Sequence, residues 1–179
     1  MYLKELGING DLYLINEVLK TMIDAKYGSN SLNIKIKLPH YGGIIIKYDG
    51  KGMPINMETT NGITNPIIYS SMLNAFRGEI NKDDLNKYGH LYGIGTIVNA
   101  LSEELTIVTL ENSKQHSVGF HKGGVISLLH KVDLDYEYNQ IYVDFDKSIM
   151  GDCEISPVDL EPLITKFILE YDVNIEVIK

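Results

Sequence analysis

Apolar residues recur along this chain in two periods, and the changes between them divide it into elements. Over 11–26, Leu12, Ile15, Leu19, Met22 and Ile23 fall on one stripe at helical spacing, and Asp11, after Gly10, is placed to cap its start. Residues 32–38 then alternate as Leu-Asn-Ile-Lys-Ile-Lys-Leu, the two-residue period of a strand with one wet face. Pro39 to Gly43 supplies a turn and Gly43 to Lys47 a second, Ile-rich strand, so a hairpin is predicted behind a helix. From Asp49 to Asn65 periodicity is lost among three glycines, Pro54 and several Asn and Thr, as in a loop. A helix is predicted over 66–76 with Pro66 at its first position. A polar, mobile segment follows over 78–90, and another helix runs from Gly95 to about Ser102.

The second half reads mainly as strand. Leu105–Glu111, Gln115–His121, Val125–Lys131 and Gln140–Phe145 are short runs rich in β-formers and separated by turn residues. Pro157 opens an amphipathic helix to about Glu170, and Asn174 to Ile178 closes as a strand. No repeat, low-complexity tract or linker interrupts the pattern, so 1–179 reads as a single domain. Helices mixed with mostly sequential strands predict an α+β two-layer sandwich: a mixed, mostly antiparallel sheet with helices on one face.

Composition narrows the function. The 179 residues are 44% hydrophobic and 22% charged, in the range of a globular domain with a real core. Asp and Glu number 24 against 16 Lys and Arg, a net charge of −8. Binding duplex DNA rests on cationic side chains that displace counterions from phosphate, so direct DNA binding is not expected. The single cysteine, Cys153, excludes an internal disulfide and any multi-cysteine metal site. No apolar run reaches the roughly 20 residues that span a bilayer. The opening Met1-Tyr2-Leu3-Lys4-Glu5 is not a signal sequence, and a cytoplasmic protein is expected.

Three segments carry candidate chemistry. They are Glu17-Val18-Leu19 with Ile23-Asp24-Ala25; Asp49-Gly50-Lys51-Gly52-Met53-Pro54; and Leu91-Tyr92-Gly93-Ile94-Gly95 followed by Val98-Asn99-Ala100-Leu101-Ser102. Singly, each has an ordinary explanation: a solvated helix charge beside Lys20, turn glycines, a tight entry to a helix. In this order they resemble the GHKL ATPases, specifically the gyrase B and topoisomerase IV B branch, whose motifs read E-V-V-D-N-S-I-D-E, D-G-R-G-I-P and L-H-G-V-G followed by V-N-A-L-S. The resemblance implies the Bergerat fold and a site for ATP and Mg²⁺.

Carried over residue by residue, it gives Glu17 the place of the general base that activates water for attack on the γ-phosphate. Thr21 takes the place of the metal-binding asparagine and is a poorer oxygen ligand for Mg²⁺. Lys20 replaces an aspartate and is positioned either to pair with Glu17 or to meet a phosphate. Further nucleotide contacts fall on Asp24, on Tyr48, Asp49, Gly50, Gly52, Met53 and Pro54 at the adenine side, and on Arg77, Leu91, Gly93 and Gly95 at the phosphate side.

Several of these positions depart from the family. The adenine-anchoring aspartate falls on Tyr48, and strand alternation sends Asp49 to the other face. The G-T pair that supports that aspartate falls on Gln140-Ile141. His90 replaces a loop glycine, and the lysine of H-A-G-G-K is missing, with Arg77 one position early. The arm that closes over ATP in the family's dimers would precede Met1, and the transducer would follow Lys179, so ATP-driven dimerisation is not expected. These departures imply a pseudo-ATPase with weak or no binding of ATP and Mg²⁺. It would act by regulation or through an unidentified protein partner, a gyrase-type one among the candidates. The alternative is an ATP-binding protein or slow Mg²⁺-dependent ATPase using Glu17, including one component of a split type II topoisomerase.

Overall fold

The computed structural model describes residues 10–23, 31–40, 42–50, 52, 98–111, 114–132, 138–151 and 155–178. In chain order their elements are α1 (Gly10–Ile23), β1 (Asn33–Lys37), β2 (Ile44–Tyr48), β3 (Ser102–Glu111), β4 (Lys114–His121), β5 (Gly124–Val132), β6 (Asn139–Phe145), α2 (Lys147–Met150), α3 (Pro157–Tyr171) and β7 (Asn174–Ile178).

The seven strands form one sheet in the order β5-β4-β3-β6-β2-β1-β7. Every neighbouring pair is antiparallel except β1 and β7, which run parallel. A parallel pair needs a crossover between its strands. Here α3 is the helix that immediately precedes β7 and packs against it. The expected mixed, mostly antiparallel α+β sheet is the architecture found.

Register decides which face is dry. Ile36 pairs with Ile46, Ile46 with Ile141, Ile141 with Ile107, and Ile107 with Val118, an apolar row crossing five strands. All five of these side chains are buried, and they share one cluster with Leu14, Ile15, Val18, Leu19 and Met22 of α1 and Leu160 and Phe167 of α3. The alternate residues Asn33, Lys35 and Lys37 are exposed, so a one-residue slip of β1 would bury two lysines. Both long helices therefore cover the same face of the sheet.

Some expectations need correction. Asp11 does not precede α1 but lies buried in its first turn. The stripe is wider than the one expected: Leu14 and Val18 join the buried Ile15, Leu19 and Met22, while Leu12 is partly buried. The helix expected to run to about Ser102 stops short of it. Residues 99–101 form a turn, and Ser102 opens β3. The short α2 was not expected, because four residues are too few for a periodic pattern; the Asp146 side chain starts it by accepting from the Ser148 amide at 2.8 Å. The helix expected over 66–76, the segment over 78–90 and the Gly93–Gly95 motif lie outside the described residues.

Candidate functional site

The second motif starts where β2 ends, at Tyr48. This side chain is buried in the core cluster, on the same face as the helices. Burial pushes its phenol pKa well above the ordinary tyrosine value, so the hydroxyl stays neutral across the physiological range. Ile141, at the supporting threonine position, is fully buried between Ile46 and Ile107 and offers only hydrocarbon.

Beside Tyr48 in the sheet stands Asn139, the first residue of β6. Its buried amide serves the main chain on two sides. Asn139 Nδ2 donates to the Gly50 carbonyl at 2.7 Å, and the Leu110 amide donates to Asn139 Oδ1 at 2.7 Å. The loop after β2 is thereby stitched to the end of β3. Gly52 closes the same contact. A Cβ there would lie 2.5 Å from Thr109 Oγ1 and 2.7 Å from Asn139 Oδ1, with the Leu110 carbonyl oxygen closer still. Glycine is required at this position by close packing against the sheet, and its backbone needs no unusual φ.

Asp49 belongs to the other side, as alternation requires. Its exposed carboxylate accepts from the Asn33 backbone amide at 2.9 Å and from Asn33 Nδ2 at 2.5 Å. Asn33 Oδ1 in turn accepts from Asn174 Nδ2 at 3.0 Å, tying the ends of β2, β1 and β7 together. In this conformation Asp49 does not join Tyr48, the other nucleotide contact expected beside it. Lys47, also on the outer side, reaches Tyr138, with Nζ 2.7 Å from the hydroxyl and 4.2 Å from the ring centroid.

On α1, Glu17 Oε1 lies 2.8 Å from Lys20 Nζ and also accepts from Asn16 Nδ2 at 3.2 Å. The Glu17 side chain is 16% exposed and that of Lys20 49%. The hydrogen bond to Glu17 raises the Lys20 pKa, so the ammonium is fully charged at neutral pH. Of the two expectations for Lys20, the ion pair is the one present. Thr21 lies within α1, but its side chain is outside the described residues, as are Asp24, Met53, Pro54, Arg77, Leu91, Gly93 and Gly95. Among the described residues no group of three His, Cys, Asp or Glu is arranged to hold a metal ion.

Asn139 and Thr109 were not among the sequence candidates. Asn before a strand reads as an ordinary turn residue, and Thr109 as one more β-former. The mutual packing of Gly52, Thr109 and Asn139 brings together residues far apart in the chain, which local pattern does not reveal.

The chain has relatives among known proteins. No family model matches the chain. It is 30% identical over 128 residues to DNA gyrase B of Campylobacter jejuni, covering 71% of this chain and 16% of that protein. It is 29% identical over 133 residues to the type 2 topoisomerase B protein of Aquifex aeolicus, covering 74% of this chain and 17% of the relative. With DNA gyrase B of Chlamydia pneumoniae the identity is 28% over 161 residues, 86% of this chain and 20% of the relative. The chain thus spans a fifth or less of the length of these relatives. The 43K ATPase domain of Thermus thermophilus gyrase B, solved with an aminocoumarin, superposes with a TM-score of 0.66 at 19% identity, over 87% of this chain and 39% of that one. That likeness concerns the fold, and the sequence matches concern the lineage. Taken together, they make the chain a member of the GHKL superfamily that resembles the ATPase domain of DNA gyrase B.

Proposed function

We propose that this chain is a pseudo-ATPase of the gyrase B type, which uses the GHKL scaffold to bind another protein and binds ATP weakly or not at all. One observation carries the reading: at the position of the adenine-anchoring carboxylate stands a buried Tyr48 that stays protonated. An aspartate there would accept from the adenine amino group as an anion. A neutral phenol is a weaker acceptor and occupies more volume. Leaving a buried amino group unpaired costs roughly 1–3 kcal/mol. The surrounding polar groups do not compensate, because Asn139 is engaged by Gly50 and Leu110, and Asp49 by Asn33. The described residues on the adenine side therefore do not fit the nucleotide in the family manner.

The catalytic side supports the same reading. Glu17, in the place of the general base, forms an ion pair with Lys20. With Lys20 Nζ 2.8 Å from Glu17 Oε1 and Asn16 Nδ2 donating to the same oxygen, that oxygen is already occupied and is not free to take the proton of an attacking water. The partnership with a protein follows from retention of the scaffold where the ligand contacts have changed, and a gyrase-type partner is one candidate.

Isothermal calorimetry with ATP, in the presence and absence of Mg²⁺, tests this. The expected outcome is a Kd of about 1 mM or weaker, corresponding to no more than about 4 kcal/mol of binding free energy. Tight, Mg²⁺-dependent binding would overturn the proposal in favour of a slow ATPase. In that case Glu17→Ala should abolish phosphate release while leaving nucleotide binding intact.

A further inference from the structure

The helix α3 is apolar on two opposite faces, and only one of them is used by the fold. At about 100° per residue, Leu160, Leu163, Ile164, Phe167 and Tyr171 face the sheet, where Leu160 and Phe167 are buried and the other three are packed against the core. Val158, Pro162, Thr165 and Leu169 follow the same spacing on the far side. Val158 is 73% and Leu169 81% exposed. A surface helix that packs on one side ordinarily carries polar residues opposite its core face. Here the outward stripe runs for roughly 16 Å, at 1.5 Å per residue. Large exposed apolar side chains aligned in this way mark a contact surface more often than isolated ones do.

The flanks of the stripe are charged, and mostly with one sign. Glu161 borders it on one side, and Asp159 and Glu170 on the other, with Asp172 at the helix end; all four are exposed. Lys166, the one basic residue of α3, lies on the flank of Asp159 and Glu170 and nearest the stripe, so the two borders together carry three acids to one base. An apolar ridge within an acidic border repels a second copy of itself and repels an anionic membrane. It complements a ridge of the same shape bordered by cations.

We infer that the outward face of α3 docks a basic amphipathic helix of a partner protein. Its apolar stripe would lie on Val158, Pro162 and Leu169, and its Lys or Arg residues would meet Asp159, Glu161 and Glu170. The inference rests on the reading of this chain as a protein-binding domain and identifies where that binding occurs.

The probe is an 18-residue Leu/Lys peptide with a heptad leucine stripe, compared with a Leu/Glu peptide of identical stripe, using fluorescence anisotropy. The Leu/Lys peptide should bind and weaken as salt is raised, and the Leu/Glu peptide should not bind. Val158→Ser with Leu169→Ser should weaken binding at least tenfold. These highly exposed positions leave the fold intact, which circular dichroism and an unchanged melting curve verify.

Peptide binding unaffected by the double substitution overturns the proposal, as does equal affinity for the acidic peptide or no binding at all. Sedimentation showing a dimer that Leu169→Ser disperses would assign the face to a second copy instead. Flotation with phosphatidylglycerol vesicles that the same variant abolishes would assign it to membranes. Either result also overturns the proposal. Nucleotide calorimetry on the double variant should match that of the unmodified chain, so failure of this surface and failure of the pseudo-ATPase reading are read out separately.

Discussion

At Tyr48 the ring and the hydroxyl contribute unequally to the fold, because the side chain is packed within the apolar cluster. Tyr48→Phe keeps that packing and is expected to change stability by less than about 1 kcal/mol in urea denaturation. Tyr48→Ala empties the site and should cost about 3–5 kcal/mol, as large-to-small aromatic substitutions do. Gly52 is constrained from the opposite direction. Gly52→Ala drives a methyl group into Thr109, Asn139 and the Leu110 carbonyl, so a loss of about 1–3 kcal/mol is expected. Asn139→Ala should cost a similar amount, about 1–3 kcal/mol, since it leaves the Leu110 amide and the Gly50 carbonyl without their side-chain partner. Because Gly52 and Asn139 touch, the double variant should lose less than the sum of the two. Additivity would show that the loop and the strand end are not one packed unit.

Among the elements, α3 has the most complete signals at its ends. Ser156 accepts from the Asp159 amide, and the Asp159 carboxylate accepts back from the Ser156 amide at 2.9 Å and from its hydroxyl at 2.6 Å, a reciprocal capping box. Asp172 ends the helix in the left-handed conformation, at φ 52°. The hydrogen bond from Ser156 lowers the Asp159 pKa. A carboxylate with a depressed folded-state pKa contributes stability above its unfolded pKa and loses it as pH falls through the folded value. Ser156→Ala removes the N-cap hydroxyl and is expected to cost about 1 kcal/mol at pH 7, as the loss of a serine cap does. Urea melts repeated at pH 3 should show a smaller gap between variant and parent, since Asp159 is becoming protonated in both. A gap that does not change with pH would mean that the carboxylate adds nothing to the cap.

For the whole molecule, the strand order places β6 and β2 deep within the sheet and leaves β5 and β7 at its edges. Hydrogen exchange should follow this order, slowest in β6, β2 and the centre of β3 and faster in β5. Equal exchange in β6 and β5 would mean that the sheet opens only as a whole, and would contradict opening from its edge. The same arrangement gives the docking face of α3 a rigid base, because α3 buries Leu160 and Phe167 in the core that the central strands share. A partner on the outward face would bind a surface already formed, and would not have to order it.

The strands and the two long helices were legible in the sequence, because each has a local cause, whereas the four-residue α2 was too short to leave a pattern. Alternation marked β1, a run of isoleucines after a turn marked β2, helical spacing marked α1 and α3, and Pro157 marked where α3 begins. Alternation also separated Tyr48 from Asp49, since adjacent side chains on a strand leave opposite faces, and the i,i+3 spacing of Glu17 and Lys20 brought them within reach. Local pattern was insufficient where partners are distant in the chain. It carried the helix after Gly95 too far, to Ser102, because the pairing of Ser102 with Phe145 that begins β3 joins residues on separate strands. It missed Asn139 and Thr109 for the same reason, since their roles depend on how Gly50 and Gly52 settle against the ends of β3 and β6. It also took α3 for an ordinary amphipathic helix. Periodicity identifies which residues share a face, but only the packed sheet determines which apolar face is covered and which remains open to a partner.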